Sequence, residues 1–359
     1  MLDVPPRPVR LLGLRRLRSS PLRKRAAPAR VWGLAAWTAA ACLAAPASGW
    51  ARPAAYDVIE RVYTYALPKA VLLSPDETVA YVTNFGRRDT KNISIYDADT
   101  LEEIGTIDFP GNCVEAVITR DGATLYTSNF RRDLVEVIDL ATRTVVAEIA
   151  VGSNPKTMAL AADERTLYVS NWSSNDVSVV DLVDRVEVRR LSVGHHPRGI
   201  AVTAGGVLIV GNHADHTLSF FDTSSFEELR DEVTCGRFPR HVIVSPDQRF
   251  AYVSAQASAA VFQVDVATGE VLGKWPGGFS PKTIDITADG RYVFAAAYGA
   301  HEVVGIDTED GTVREYPIHG IEKPCGLDVT GDGRRIYVTG WDDFGLYLLQ
   351  REDEDESGS

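Results

Sequence analysis

The segment Tyr81-Val82-Thr83-Asn84 is the first of seven related segments in this chain. The other six are Tyr126-Thr127-Ser128-Asn129, Tyr168-Val169-Ser170-Asn171, Ile209-Val210-Gly211-Asn212, Tyr252-Val253-Ser254-Ala255, Phe294-Ala295-Ala296-Ala297 and Tyr337-Val338-Thr339-Gly340. Their first residues lie 45, 42, 41, 43, 42 and 43 positions apart. Such a period is typical of repeat architectures, in which units too short to bury a core alone share one body.

Each copy has the pattern of four short strands separated by turn residues. In the third copy we expect strands at Lys156–Ala161, Thr166–Ser170, Val177–Asp181 and Arg185–Val193. This spacing of strands and turns is typical of all-β proteins. Seven units of four strands are best accommodated in a propeller, whose radial arrangement leaves only short edges. The sequence therefore predicts an all-β, seven-bladed β-propeller of four-stranded antiparallel blades.

An aspartate closes the third strand of six copies. Six copies are more than one catalytic site needs, whereas an aspartate side chain readily accepts hydrogen bonds from the backbone of a tight turn. We therefore interpret these residues as turn caps. They are Asp97, Asp139, Asp181, Asp222, Asp265 and Asp307.

The last copy lacks a fourth strand. It has strand patterns near Gly326–Val329, Arg335–Thr339 and Gly345–Leu349, and an acidic stretch follows. The segment Asp57–Tyr65 precedes the first copy and has the pattern of a fourth strand. We predict that this N-terminal strand completes the last blade, so that the propeller spans residues 52–350 and residues 351–359 form a disordered acidic tail.

The first 51 residues have the pattern of an export segment. Residues 1–49 contain nine of the 37 Lys and Arg residues and one acidic residue, which leaves a net charge of −20 on the remainder. An uncharged run, Val31–Ala45, precedes small residues that suit a cleavage site ending near Ala51. We expect a periplasmic or secreted protein. The alternatives are an uncleaved membrane anchor at Val31–Ala51 and a lipidated Cys42.

The tetrapeptide, the third-strand aspartate and a Gly-x-x-Pro crossing between copies together give a specific resemblance. The crossing occurs, for example, as Gly194-His195-His196-Pro197. Over residues 57–349 the chain resembles the YVTN family of seven-bladed propellers, and is similar to exported bacterial proteins that consist of one propeller. The resemblance implies the fold, and propellers host many functions.

The loops between second and third strands and the crossings between blades are expected on one face. Five crossing prolines are followed by a cation, and the crossing leads into the innermost strand. These cations should therefore surround the central channel and attract anions in an otherwise acidic protein. The second copy departs from this pattern with Val114-Glu115 and the seventh with Pro324-Cys325. The predicted ring is Lys69, Glu115, Lys156, Arg198, Arg240 and Lys282.

Loops on the same face add polar and aromatic candidates, mainly in copies one to four. The corresponding loops of copies five and six have few such residues and look nearly bare. The asparagines could contact a ligand or begin a turn, and the aromatic residues, which include Phe85 and Phe130, could contact a ligand or pack between blades. The candidates assigned to the site are Asn84, Asn129, Asn171, Asn212, Trp172, His241 and Trp341.

No cofactor or metal is predicted from the sequence. The histidines, such as His213 and His216, lack strict ligand spacing, and a basic ring opposes a metal cation. Haem-attachment, quinone-forming and copper motifs are missing from the sequence, as is any Cys-x-x-Cys pair.

Three functions remain open at this stage. The first is a non-catalytic, monomeric binding propeller whose partner is an anionic small molecule, a glycan fragment or a protein; its net charge disfavours nucleic acid. The second is a metal-independent lactonase or lyase in which Arg198 and Arg240 hold a carboxylate and His241 or His196 transfers protons. The third is a partner of a redox enzyme. A membrane contact is expected only through an uncleaved or lipidated N-terminus.

Overall fold

The computed structural model describes residues 55–352. The predicted export segment, its alternatives at Val31–Ala51 and Cys42, and most of the acidic tail lie outside these residues. Within residues 55–352, no helix has both the length and the apolar character needed to cross a membrane.

The described residues form strands, with a single turn of 3₁₀ helix at Gln256–Ser258. The strands are β1 (Tyr56–Tyr63), β2 (Pro68–Leu73), β3 (Val79–Asn84), β4 (Ile93–Asp97), β5 (Glu103–Ile107), β6 (Cys113–Ile118), β7 (Thr124–Asn129), β8 (Leu134–Asp139), β9 (Thr144–Ala150), β10 (Pro155–Leu160), β11 (Thr166–Asn171), β12 (Asp176–Asp181), β13 (Val186–Ser192), β14 (Pro197–Val202), β15 (Val207–Asn212), β16 (Thr217–Asp222), β17 (Val233–Thr234), β18 (Pro239–Val244), β19 (Phe250–Ala255), β20 (Ala260–Asp265), β21 (Val271–Pro276), β22 (Pro281–Ile286), β23 (Tyr292–Ala297), β24 (Glu302–Asp307), β25 (Val313–Pro317), β26 (Pro324–Val329), β27 (Arg335–Gly340) and β28 (Gly345–Arg351).

These strands form seven antiparallel sheets of four strands each. The first strand of every blade contacts the first strands of both neighbouring blades, which closes a ring around a central channel. The predicted seven-bladed propeller is confirmed. In the third blade the four strand boundaries agree with the sequence pattern to within one residue, because turn residues mark each end.

The N-terminal strand β1 completes the seventh blade. It pairs antiparallel with β28, from Tyr56 opposite Arg351 to Tyr63 opposite Gly345. The Tyr56 hydroxyl also donates a hydrogen bond to the Gly333 carbonyl, 277 residues away in sequence. The predicted closure of the ring is therefore confirmed.

The hydrophobic core lies between the blades. Seven main clusters of buried side chains occur, each shared by two neighbouring blades. Between blades three and four, for example, Tyr168 and Val179 pack with Leu208 and Val210. Full burial of one aliphatic side chain stabilises a fold by about 1.5–3 kcal/mol, so blades depend on their neighbours for stability.

The six third-strand aspartates cap turns as expected. Asp139 Oδ1, for example, accepts a hydrogen bond of 2.7 Å from the Thr142 amide and one of 2.8 Å from the Thr142 hydroxyl. These hydrogen bonds lower the pKa of Asp139, because they favour its charged form. The aspartates thus fix the turn before each outer strand.

Candidate functional site

The crossings and the loops between second and third strands lie together on one face of the propeller. In every blade, an amide one or two residues after the repeated tetrapeptide donates to a carbonyl just before the first strand of the same blade. The seven pairs are Phe85 to Leu67, Phe130 to Asn112, Trp172 to Asn154, His213 to His196, Gln256 to Phe238, Gly299 to Phe279 and Trp341 to Lys323.

The second residue of each first strand occupies one position of a ring around the channel. Five positions are cationic, and the other two are Val114 and Cys325. Hydroxyls of the repeated tetrapeptides fix this ring across blade boundaries: Ser128 Oγ donates to the Lys156 carbonyl and Ser254 Oγ to the Lys282 carbonyl, both at 2.6 Å. The repeat thus positions the cations through the backbone.

Four of the five cations have no acidic partner. Lys69 pairs with Glu115, with Nζ 3.3 Å from Oε1. Within residues 55–352, no carboxylate lies within ion-pair distance of the other four, which are Lys156, Arg198, Arg240 and Lys282. Together with Val114, Glu115, His241 and two threonines, the five cations line a narrow cavity, far smaller than the sites that hold drug-sized ligands.

Aromatic rings lie against three of the four unpaired cations. Lys156 Nζ is 4.0 Å from the centre of the Phe130 ring and 5.5 Å from that of Trp172. The Arg198 guanidinium is 4.9 Å from the centre of the Trp172 ring. An aromatic face attracts a cation through its quadrupole, so these rings hold the charges in place without neutralising them.

The same arrangement recurs on the opposite arc of the ring. Lys282 Nζ is 3.2 Å from the centre of the Tyr298 ring and 5.3 Å from that of Trp341. Its nearest hydrogen-bond acceptor is Cys325 Sγ at 3.6 Å. The Cys325 side chain is also hydrogen-bonded to Arg240. Lys282 therefore contacts two aromatic rings and a thiol instead of a carboxylate.

Burial and mutual repulsion lower the pKa values of the lysines. The pKa of Lys156 falls to about 6, mainly through burial and then through Arg198, Lys69 and Arg240. The pKa of Lys282 falls to about 7 through burial, offset in part by Cys325. The pKa of each of these lysines is lowered by several other cations of the ring, because the cations converge on one region of the channel.

The aromatic residues form what we call the crown. Phe85 lies 5.8 Å from both Phe130 and Trp341, measured between ring centres, and His213 is stacked on Phe238 at 4.9 Å. The crown is completed by the rings that cover the lysines. Its members are Phe85, Phe130, Trp172, His213, Phe238, Tyr298 and Trp341.

Two crown residues, Phe238 and Tyr298, were not predicted from the sequence. Phe238 lies in the crossing before Pro239 and has a left-handed backbone with φ of 60°, which the sequence did not predict. Tyr298 follows an alanine-rich tetrapeptide in a copy that looked nearly bare. The site is therefore not confined to blades one to four. The only available signal was for Tyr298, which directly follows its tetrapeptide as Trp172 and Trp341 follow theirs.

The four predicted asparagines lie elsewhere. Each is fully buried, and each side-chain amide donates to the third strand of its own blade. Their side-chain donors are therefore used inside the blade. The bonds run from Asn84 to Ser94, Asn129 to Glu136, Asn171 to Ser178 and Asn212 to Ser219, at 2.8–2.9 Å.

Histidines at the channel are kept neutral by their surroundings. His241 lines the cavity, and its Nδ1 lies 3.1 Å from the Ile284 carbonyl. Burial lowers the pKa of His241, and burial together with Arg198 and Arg240 lowers that of His213 to about 3. With lowered pKa values these imidazoles are weaker bases than an ordinary histidine, which does not favour the proton-transfer role considered for His241.

The opposite mouth of the channel is wider and partly apolar. It is lined by aliphatic residues of the first strands and by three carboxyl groups, those of Glu115, Asp285 and Asp328. The two aspartates each accept a hydrogen bond from a neighbouring blade. Asp328 Oδ2 accepts from the Leu73 amide at 2.6 Å, and Asp285 Oδ2 accepts from the Val329 amide at 2.9 Å. Each aspartate thus connects its blade to the next around the ring.

Comparisons with known proteins agree with this architecture. The family described as YNCE-like beta-propeller matches residues 157–316. The chain is similar to YNCE-like propellers. A second family, described as Cytochrome D1 heme domain, matches residues 75–205. The resemblance to seven-bladed propellers that the repeats indicated is confirmed.

Two individual proteins also match this chain, both at low sequence identity. Antigen Lp49 of Leptospira interrogans serogroup Icterohaemorrhagiae serovar copenhageni is 25% identical over 140 residues, which cover 35% of this chain and 30% of the antigen. A chain of Kuenenia stuttgartiensis hydrazine synthase superposes with a TM-score of 0.70 at 20% identity, over 80% of this chain and 97% of that chain. The second likeness shows the fold alone.

The residues around the channel do not fit a haem. Haem iron requires an axial side-chain ligand. The imidazoles of His196 and His213 pack against Trp172, at 4.5 and 5.2 Å between ring centres, and five cations converge below them. In the part of the chain that the structure describes, no group of three or more His, Cys, Asp or Glu side chains is arranged to hold a metal ion.

Proposed function

We propose that this protein is an exported, non-catalytic propeller that binds an anionic ligand, or an anionic group of a larger partner, in the cation ring. One observation carries this proposal. Four cations converge in a small cavity without a carboxylate partner, in a protein whose overall charge is negative. Unpaired buried charges are costly, so a ligand that supplies the missing negative charge is strongly favoured.

The anion enters from the face that carries the crown. Trp172 and Trp341 stand beside the ring on opposite arcs, so a ligand extending above the cavity would meet aromatic surface. Glycan fragments, acidic peptides and small acids all present an anionic group of this kind. The net charge continues to disfavour long nucleic acids, which would be repelled by the acidic body.

A periplasmic or secreted location forms part of the proposal. Its support is the basic and then apolar N-terminal sequence, together with the similarity of part of the chain to a protein named as an antigen. Detection of the mature N-terminus near residue 52 in a periplasmic or culture fraction would support it. Recovery of the intact chain from the cytoplasm alone would contradict it.

Thermal unfolding with a panel of anions tests the binding. The panel contains sulfate, phosphate, anionic sugars, acidic peptides and oligonucleotides, each at pH 6. A ligand at a hundredfold its Kd should stabilise the protein by about 2.7 kcal/mol. Failure of every anion to raise the Tm would overturn the proposal.

A triple variant locates the site. Lys156→Gln/Arg198→Gln/Arg240→Gln should abolish the stabilisation, because it removes three of the four unpaired cations. The matched control is Lys274→Gln/Arg189→Gln/Arg249→Gln, which removes the same residue types from aromatic rings elsewhere on the propeller. Equal loss in both variants would place the ligand outside the channel.

A further inference from the structure

Lys156 and Lys282 are two ring cations that can lose their charge near neutral pH. Each ammonium lies between two aromatic rings, Phe130 and Trp172 for Lys156 and Tyr298 and Trp341 for Lys282. Aromatic faces stabilise a cation less than water or a carboxylate does, so these sites tolerate both the charged and the neutral amine.

The groups that face the two lysines are mostly positive. Lys156 interacts electrostatically with Arg198, Lys69 and Arg240, and Glu115 is the one acid among its partners. Lys282 interacts with the same three cations and with the Cys325 thiol. Neutral His213 and His241 add no compensating charge. The free ring therefore relieves its repulsion by releasing protons from these lysines, because arginine stays charged.

A bound anion reverses this balance. Negative charge at the centre of the ring favours the charged form of each nearby amine. The site in its bound state therefore holds protons that the free site lacks. The cavity is narrow and the cations converge on one region of it, which favours a compact anionic group with several charges over an extended ligand.

We propose that the ligand group is a small, densely charged oxyanion of the sulfate or phosphate class, and that it binds together with protons taken up by Lys156 and Lys282. This inference rests on the proposed function and adds the ligand class and its coupling to pH. The oxyanion is either a free ion or the terminal group of a larger molecule. In both cases the ring captures it in acid and releases it above neutral pH.

Calorimetric titration with sodium sulfate tests the coupling, because sulfate does not itself titrate between pH 5.5 and 8.5. The Kd should be constant below pH 6. It should then weaken by roughly tenfold per pH unit between 6 and 7, and by up to about a hundredfold per unit above 7. At pH 7.5, the measured heat should differ between buffers of different ionisation enthalpy, because protons are taken from the buffer.

The outcomes separate the two proposals. Sulfate binding with a constant Kd and a heat independent of buffer would overturn the proton coupling and leave anion binding intact. No binding of sulfate or of glucose 6-sulfate at any pH would overturn the ligand class. Binding of sulfate supports a free ion, whereas binding of glucose 6-sulfate alone, with glucose inactive, supports a terminal group.

Substitution by arginine isolates the lysines. Lys156→Arg and Lys282→Arg keep the charge and remove its titration near neutrality, so each should lower the proton uptake at pH 7.5 and flatten the dependence of Kd on pH. Lys274→Arg, on the outer strand of blade five, is the control and should change neither. If the arginine variants fold and keep the original pH dependence, the coupling does not involve these lysines. Lys156→Met adds no bulk and cannot be protonated, so this variant should also take up fewer protons on binding sulfate at pH 7.5.

Discussion

The Ser170 hydroxyl donates a hydrogen bond of 2.8 Å to the main-chain carbonyl of Arg198, across the boundary between blades three and four. The same hydroxyl accepts from the Thr157 amide at 3.2 Å, in the first strand of its own blade. One side chain of the repeated tetrapeptide thus connects the inner strands of two blades. The ring of cations is positioned by these connections.

Replacing Ser170 by alanine should loosen this part of the ring. The partly buried Thr157 amide and Arg198 carbonyl would each lose a partner, so we expect the free energy of unfolding to fall by about 1–3 kcal/mol. Urea denaturation measures this change. Ser173→Ala is the control, since it removes an exposed hydrogen bond to Asn154 and should cost less than about 0.5 kcal/mol. Equal costs would contradict the connecting role.

Glu115→Gln should strengthen anion binding in acid while it weakens the fold. The substitution removes the one carboxylate of the ring, so sulfate should bind more tightly at pH 5.5. Lys69 is 6% exposed and would lose its ionic partner, which should reduce the free energy of unfolding by about 2 kcal/mol. Calorimetry and urea denaturation measure the two effects.

The control for Glu115→Gln is Glu148→Gln. This substitution breaks an ion pair with Arg132 on the outer surface, and exposed pairs contribute little, about 0–1 kcal/mol. Weaker sulfate binding by Glu115→Gln would show that the carboxylate assists the ligand instead of opposing it.

Asp285 should make the fold more stable in acid than in base. Burial and the neighbouring Asp328 raise the pKa of Asp285 well above its ordinary range. Because the folded pKa is higher than the unfolded one, the contribution to stability is complete below the unfolded value and is lost as the pH rises through the folded value. Asp285→Asn should therefore raise the urea midpoint at pH 8 relative to the unmodified protein.

Asp139 should affect the dependence of stability on pH in the opposite way, which Asp139→Asn tests. The hydrogen bonds from Thr142 lower the pKa of Asp139, so its stabilising effect is present at neutral pH and is lost in acid. This variant should be less stable than the unmodified protein at pH 8. If Asp285→Asn behaves in the same way, the carboxyl group of Asp285 is ionised in the fold and the prediction is wrong.

Cyanate should modify Lys156 before Lys323. Carbamylation requires an unprotonated amine, and at pH 7 an amine with a pKa of about 6 is mostly neutral. Lys323 is ion-paired with Asp342, and its hydrogen bond to that carboxylate raises its pKa. Peptide mass spectrometry measures the order of reaction, and sulfate should protect Lys156. Earlier modification of Lys323 would contradict the charge state assigned to Lys156.

Periodicity predicted the fold in detail because every blade repeats the same turns and the same buried tetrapeptide. The ring was predictable for a similar reason, since Pro155, Pro197 and Pro239 each begin a first strand and direct the following cation to the channel. These features are local in sequence and recur, so each copy supports the interpretation of the others.

The remaining parts of the site depend on contacts that a single copy does not reveal. An asparagine at the end of a strand can begin a turn or donate inward, and Asn171 donates inward because Asp176, directly opposite, and Ser178 both accept from its side chain. The direction of the Phe238 ring follows from a left-handed backbone before proline. Asp285 and Asp328 meet only because blades six and seven are neighbours.

The pairing of β1 with β28 has a consequence for the order of assembly. Blade seven needs residues from both Tyr56 and Arg351, so it cannot form before both ends of the propeller are available. Six blades can assemble from consecutive segments of the chain, but the ring stays open until the last strand pairs with the first. The channel, and with it the converging charges, is therefore created in the final step of folding.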